Sequence, residues 1–113
     1  MHISALKSFL DFKNNYLIDK NSEIKLVEIG SQSVNESIKK HLDKNHKYIG
    51  VDIVEGKNVD IVLDDPYKLP FKEDSVDVVI SISTFEHTEF FWLSYLEILR
   101  ILKPTGLFFL NAP

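Results

Sequence analysis

The chain has 113 residues, of which 44% are hydrophobic and 27% charged, and its formal net charge is −4. That length predicts one small domain, residues 1–113, and the acidic balance argues against nucleic-acid binding through phosphate neutralisation. The absence of cysteine excludes disulfides, zinc–thiolate sites and thiol catalysis. No apolar run reaches the roughly 18 residues of a membrane span. Because the first residues also lack a signal-peptide pattern, we expect a cytoplasmic protein with no membrane partner.

The first half of the chain predicts helices that alternate with strands. Apolar residues recur at helical spacing before the first strand, and β-branched residues dominate the strands themselves. In chain order, the predicted elements are a helix over 3–18, a strand over 24–29, a helix that Ser33 or Asn35 caps and that ends near Leu42, and a strand over 48–52.

The second half continues this alternation, although the link after the second strand is too short for a helix. The predicted elements are strands over 59–63 and 76–82, a helix over 88–102, a turn over 103–106 and a strand over 107–110. Segment 76–82 is apolar almost throughout, which is typical of a strand covered on both faces of a parallel sheet. The alternation therefore predicts an α/β fold with a parallel sheet.

Ligands of such sheets bind beyond the carboxyl ends of the strands. Gly30 follows the first strand and allows a tight turn close to a ligand, although it could be an ordinary turn glycine. Asp52 ends the second strand, where an acid can accept hydrogen bonds from a ribose diol or simply cap the next turn. Asp65 and Pro66 follow the third strand, where the carboxylate and a neighbouring backbone amide could bind an exocyclic amine or form an Asp-Pro turn.

Glu86 and His87 follow the fourth strand and form the candidate catalytic pair. Together they could act as a general base that removes a proton from a substrate hydroxyl or amine. In the alternative, Glu86 caps the next helix and His87 packs beneath the site. The other histidines lack convergent spacing, so no metal site is predicted. The aromatic residues around the pair are interpreted as core or interface: Phe85, Phe90, Phe91, Trp92 and Tyr95.

Several motifs occur together in chain order. They are Glu28-Ile29-Gly30 after the first strand, the acids Asp52 and Asp65, the segments Leu69-Pro70-Phe71 and Phe85-Glu86-His87, and Leu102-Lys103-Pro104-Thr105-Gly106. With them, residues 24–113 resemble the class I S-adenosylmethionine-dependent methyltransferases, in particular the branch that acts on small molecules. The resemblance implies a Rossmann-like sheet of order 3-2-1-4-5, S-adenosylmethionine as cofactor, and methyl transfer to a small-molecule acceptor.

The resemblance also implies roles for individual residues. Glu28 would approach the methionine ammonium, Asp52 would bind the ribose hydroxyls, and Asp65 would meet the adenine amino group. The remaining implied contacts are the backbone of Gly30 and Ser31 along the methionine, Ile53 on the adenine, Ser81 and Ser83 at the methionine end, and Asn111 near the methyl-transfer face.

The chain departs from the family in three places, one of which is the absence of the helix that usually lies between strands two and three. The family's Glu-x-Gly-x-Gly-x-Gly loop continues here as Ser31-Gln32-Ser33-Val34, so Gln32 could hydrogen-bond the cofactor's carboxylate or crowd the pocket. The terminal antiparallel hairpin of the family is also missing, so strand 107–110 is expected at an apolar edge. We therefore expect a second copy or a partner chain to cover that strand or the surface of residues 90–92.

Two other functional readings follow from these departures. The chain could be an S-adenosylmethionine-binding module or partner subunit without activity of its own. A nicotinamide-dependent Rossmann enzyme is disfavoured, because its Gly-x-Gly-x-x-Gly fingerprint would need two glycines that residues 30–35 lack.

Overall fold

The computed structural model describes residues 3–32, 37–82 and 89–111. Its elements in chain order are α1 (Ile3–Tyr16), β1 (Ile24–Ile29), a 3-10 turn (Ile38–His41), β2 (His46–Asp52), β3 (Ile61–Val62), β4 (Val76–Ile82), α2 (Phe91–Ile101) and β5 (Leu102–Asn111). Neither helix in these three ranges has the length and apolar character needed to cross a membrane.

The five strands form one parallel sheet in the order β3-β2-β1-β4-β5. This confirms the predicted α/β fold and the strand order that the resemblance implied. β1 is central, and its residues Leu26 and Val27 are fully buried because the sheet is covered on both faces. In the register, Glu28 lies between Gly50 on β2 and Ile80 on β4, so these strands end along a common edge.

Each face of the sheet has its own apolar cluster. On the α1 face, Phe9 is fully buried and its ring meets that of Phe109 nearly edge-on, with centroids 5.8 Å apart. Burial of such a side chain contributes roughly 1.5–3 kcal/mol. On the α2 face, Ile98 and Ile101 pack with Val27 and other strand residues. The two clusters hold α1 and α2 against opposite faces of the sheet. Loops lie at the carboxyl edge of the sheet.

β5 differs most from its prediction. β5 already begins at Leu102, which pairs with Val76, so the expected turn over 103–106 lies inside the strand, where these residues have no partner in the register. The next pair in register is Val78 with Leu107, so the strand bulges between them. Lys103 contributes to this arrangement, since its Nζ lies 3.0 Å from Asp77 Oδ1 on β4.

β3 is shorter than the predicted strand over 59–63. Its ladder covers only Ile61–Val62, because a side chain replaces the backbone partner just before it. The carboxylate of Asp60 accepts the Gly50 N–H at 2.8 Å, while the Asp60 N–H donates to the Gly50 carbonyl at 2.8 Å. The strand therefore begins with a side-chain bond that a sequence pattern does not reveal.

The helices also differ from their predicted bounds. α1 ends at Tyr16 rather than at residue 18, and α2 covers Phe91–Ile101 rather than 88–102. Between β1 and β2 the structure describes a 3-10 turn whose cap is Ser37, with Ser37 Oγ accepting the Lys39 N–H at 3.2 Å. The predicted caps Ser33 and Asn35 lie outside the described residues.

Candidate functional site

Gly30 turns the chain sharply after β1. Its φ of 74° lies in the left-handed region that L side chains rarely adopt. The turn brings two successive N–H groups, those of Gly30 and Ser31, onto the Val51 carbonyl at 2.8 and 3.1 Å. The loop after β1 is thereby fixed to the end of β2, as the tight turn predicted from the sequence requires.

The carboxylate of Asp52 organises the loops around this turn. Three backbone N–H groups donate to it: that of Gln32 to Oδ2 at 3.0 Å, and those of Ile53 and Val54 to Oδ1 at 2.7 and 3.4 Å. A carboxylate has about four acceptor positions, so Asp52 keeps capacity for a ligand. The capping role and the ligand role weighed from the sequence are therefore compatible in one side chain.

Glu28 is the buried acid of the site, with only 8% of its surface exposed. Its Oε1 accepts a hydrogen bond from the Tyr48 hydroxyl at 2.5 Å. Burial is the main cause that raises the pKa of Glu28 to about 7; the Tyr48 bond opposes this shift, and the negative charge of Asp52 adds to it. Glu28 can therefore change its charge near neutral pH, unlike an ordinary surface carboxyl.

Gly50 lies where the loop after β1 and the link between β2 and β3 come close together, and its lack of a side chain makes room for them. This role was not predicted from the sequence. A Cβ at Gly50 would lie 2.1 Å from the Asn58 carbonyl oxygen and 2.6 Å from Ser31 Oγ. Asn58 itself adopts a left-handed φ of 68°. A glycine inside a predicted strand often marks such a close approach, so the signal was present in the sequence.

Ser31 has a buried hydroxyl that lies beside Gly50, where these two loops come close together. Its residue surface is 2% exposed, and among the described residues its Oγ makes no hydrogen bond of standard geometry, although it lies close enough to the Tyr48 hydroxyl to lower the pKa of Tyr48. An orphaned polar atom at this depth is costly unless something else satisfies it. Ser31 is therefore a candidate ligand contact through its side chain, in addition to the backbone contact predicted from the sequence.

Gln32 and Ile53 border the same loops. The side chain of Gln32 extends towards Gly56 in the link between β2 and β3, where a Cβ on Gly56 would lie 2.6 Å from Gln32 Cγ. Ile53 is 59% exposed, which gives an apolar surface directly after Asp52. The structure thus directs Gln32 along the β2–β3 link, a position that neither of its predicted alternatives specified.

Asp65 and Pro66 belong to a separate turn after β3. The Asp65 carboxylate accepts the Tyr67 N–H at 2.8 Å, and its carbonyl accepts the Lys68 N–H at 3.1 Å. This is the turn that the sequence analysis considered as the alternative to a ligand contact. Asp65 is half-buried and Pro66 exposed, so the carboxylate remains accessible from one side.

Side chains of α2 hold the segment that follows. Arg100 donates to the carbonyls of Leu69 and Phe71, both at 2.9 Å, and Glu97 accepts the Leu69 N–H at 2.8 Å. The two charged side chains also pair with each other at 2.6 Å, which holds the pKa of Glu97 below its usual value. The Leu-Pro-Phe motif is therefore an attachment point for α2, a role that the sequence analysis did not predict.

The remaining predicted residues divide between the described and undescribed parts of the chain. Ser81 is fully buried on β4 beside Ile29, and no described residue bonds its Oγ. Asn111 ends β5 and is half-buried. Ser83, Glu86 and His87 lie outside the described residues. The three described ranges contain no group of three metal-ligating side chains.

The site therefore has two parts. Around Val51, hydrogen bonds bring together Gly30, Ser31, Gln32 and Asp52. Glu28 lies beside them on β1, with its carboxylate bonded to Tyr48. Asp65 and Pro66 are held by contacts of their own. Paired acids beside a tight glycine turn at the ends of adjacent strands can bind a nucleoside and a cationic group.

Comparison with known proteins identifies the family of the chain. A family profile described as a methyltransferase domain matches residues 15–110. The chain belongs to this methyltransferase-domain family, which confirms the resemblance on which the S-adenosylmethionine prediction depends. No curated protein sequence is a significant match.

Solved structures with the same fold include three methyltransferase structures. A candidate S-adenosyl-L-methionine-dependent methyltransferase from Methanococcus maripaludis superposes with a TM-score of 0.68 at 18% identity, over 90% of this chain. A chain from the complex of the Haloferax volcanii Trm112 methyltransferase activator with a candidate methyltransferase gives 0.63 at 23%, over 94%. A SAM-dependent methyltransferase from Aquifex aeolicus gives 0.59 at 16%, over 92%. This chain covers 52%, 55% and 69% of those proteins.

Proposed function

We propose that residues 1–113 form a single domain that binds S-adenosylmethionine and transfers its methyl group to a small-molecule acceptor. The observation that carries this proposal is the Gly30 turn, which joins the ends of β1 and β2 and lies between a buried and a half-exposed carboxylate. S-adenosylmethionine supplies a methyl group already activated on a sulfonium. The protein then needs mainly to position the reactants and exclude water.

The described residues fit such a cofactor. Asp52 has acceptor capacity left for the ribose hydroxyls, and the exposed Ile53 can pack on the adenine. Glu28 can attract the methionine ammonium when it is ionised. The buried Ser31 Oγ can satisfy its missing hydrogen bond on the amino-acid end of the cofactor.

The other predicted contacts complete the proposal at lower detail. Asp65 would meet the adenine amino group from its turn, and Pro66 would fix the backbone beside it. Gln32, Ser81 and Ser83 would line the methionine end. Glu86 and His87 stay the proposed general base, and the cytoplasmic location stays a prediction from the sequence.

A titration of the intact protein with S-adenosylhomocysteine tests the binding step. We expect Asp52→Asn to weaken affinity by about tenfold to a hundredfold, because the loss of a charged acceptor of the ribose hydroxyls costs roughly 1.5–3 kcal/mol. Glu55→Gln, an exposed carboxyl in the same β2–β3 link, is the matched control and should bind like the wild type. Absence of wild-type binding at millimolar ligand would overturn the proposal.

The second candidate function is a binding module without turnover. It is favoured by the loop that lacks two of the family's glycines, and a neighbour of this fold was solved in complex with a methyltransferase activator. Formation of S-adenosylhomocysteine from S-adenosylmethionine, with a protein-free small-molecule extract as acceptor pool, separates the two functions. Binding without product would favour the module.

We also propose that a second copy of this chain covers the outer face of α2 and the adjoining part of β5. Ring contacts from Phe90 to Trp92 and from Tyr95 to Phe108 make this surface continuous. Eight of its side chains are 39–59% exposed: Phe90, Phe91, Trp92, Leu93, Tyr95, Leu96, Leu99 and Leu110. Within the described part of the chain, residues 90, 91, 92 and 95 therefore lie at the surface.

The size of this apolar surface supports a stable dimer. At 150–250 Å² for a large side chain, these residues expose roughly 700 Å². The largest apolar patch of a typical monomer is about 300–600 Å², and a standard interface buries about 800 Å² per partner. Light scattering at tens of micromolar should give the dimer mass. Leu96→Lys should give a monomer and Ile18→Lys, exposed elsewhere, should not; a monomeric wild type would contradict the proposal.

A further inference from the structure

Tyr48 and Glu28 lie on one face of two adjacent strands. Glu28 is directly beside Gly50 in the register, and Tyr48 precedes Gly50 by two residues, so all three point to the same side of the sheet. The Tyr48 hydroxyl reaches diagonally across the two strands and donates to Glu28 Oε1 at 2.5 Å. The bond uses one carboxylate oxygen, and a carboxylate accepts on both.

The groups around the Tyr48–Glu28 hydrogen bond have opposing effects on the charge of Glu28. Burial raises the pKa of Tyr48, so its hydroxyl keeps its proton and stays a donor. Asp52 and Asp60 add negative charge near the pair, and Lys39 of the 3-10 turn lies 5.6 Å from the centre of the Tyr48 ring. A hydrogen bond donated to Glu28 favours the ionised carboxylate against desolvation.

We propose that Tyr48 is a positioning residue for the cationic amino-acid end of the methyl donor, because its hydroxyl holds the Glu28 carboxylate in place and favours its charged form. This inference rests on the proposed function. It assigns to Tyr48 a role that acts only through Glu28. The nucleoside end of the ligand contacts Asp52 and Ile53 instead, so the role of Tyr48 is confined to one half of the ligand.

Two ligands separate the two halves. S-adenosylhomocysteine carries the amino-acid end, whereas 5′-methylthioadenosine lacks it and keeps the nucleoside. At pH 7 we expect Tyr48→Phe to weaken binding of S-adenosylhomocysteine about tenfold and binding of methylthioadenosine less than twofold. Tyr16→Phe, an exposed tyrosine at the end of α1, is the matched control and should change neither. Equal losses for both ligands, or no loss, would overturn the inference.

The wild-type protein provides a second measurement that does not depend on how Tyr48→Phe folds. The affinity ratio of S-adenosylhomocysteine to methylthioadenosine should rise between pH 6 and 8, as Glu28 ionises. In Glu28→Gln the ratio should be independent of pH, and in Tyr48→Phe its midpoint should move to higher pH. A constant wild-type ratio would contradict the role of Glu28 and Tyr48. If neither ligand binds the wild type, the proposed function itself fails.

Discussion

Glu28 and Asp52 are acids at the same edge of the sheet, on adjacent strands, and the structure gives them different surroundings. Glu28 is one residue inside the end of β1, is buried and bonds a side chain. Asp52 is the last residue of β2, is half-exposed and accepts three backbone N–H groups. One position along a strand therefore decides whether the carboxylate enters the interior or turns back onto the loops.

This difference shows that one sequence pattern can serve two electrostatic purposes. A carboxylate bonded by backbone N–H groups keeps its charge and orders the loop. A carboxylate in an apolar interior, with its pKa raised to about 7, carries a charge that depends on pH and on its partner. Substitutions of Glu28, of Asp52 and of Gly50 between them should separate the effects of the two carboxylates on stability.

The largest expected effect comes from Gly50, which lies between the acids. In Gly50→Ala the new Cβ would meet the Asn58 carbonyl oxygen at 2.1 Å, and backbone must move to relieve this contact. We expect the free energy of unfolding, measured with urea, to fall by about 3 kcal/mol or more. Gly56→Ala is the matched control, because its close neighbour is the exposed Gln32 side chain, which can rotate away. Equal stability of the two variants would contradict this account.

Much of the fold could be predicted because it depends on local patterns. The bounds of β1 and β4 match the prediction, since both are apolar runs covered on two faces. β3 and β5 could not be placed as well, because their ends depend on contacts between distant residues. The Asp60 carboxylate shortens β3, and the bulge opposite Asp77 extends β5 back to Leu102.

The candidate site could be predicted only in part, for a related reason. Topology alone indicates that Asp52 and the Gly30 turn lie at the carboxyl edge of the sheet. The bond between Tyr48 and Glu28 depends on the register of two strands, which a single sequence does not reveal. The attachment of the Leu-Pro-Phe segment to α2 by Arg100 likewise depends on tertiary packing.

The second prediction concerns the pH dependence that Glu28 gives to stability. Its pKa is raised from 4.5 to about 7 on folding, so the unfolded chain loses this proton first as pH rises. Stability should therefore fall between pH 4.5 and 7 and level off above, by up to about 3 kcal/mol. The free energy of unfolding of Glu28→Gln minus that of the wild type, both measured with urea, should therefore increase from pH 5 to pH 8.

Glu23→Gln, an exposed acid just before β1, controls for the general effect of removing a carboxyl. Its stability difference from wild type should stay constant over the same pH range. A constant difference for Glu28→Gln as well would show that the Glu28 carboxyl has the same pKa in the folded and unfolded chain, against the burial described here.

The smallest effect on the free energy of unfolding is expected for Asp52→Ala. Three backbone N–H groups lose their acceptor, yet they belong to exposed residues and can bond water instead. We expect the free energy of unfolding to fall by about 1 kcal/mol, as for the loss of a capping side chain. Hydrogen exchange of the Gln32, Ile53 and Val54 amides should accelerate, while that of Gly30, bonded to Val51, should not. If the stability of Asp52→Ala relative to wild type instead rose from pH 5 to pH 8, as that of Glu28→Gln should, the two carboxylates would share one electrostatic role.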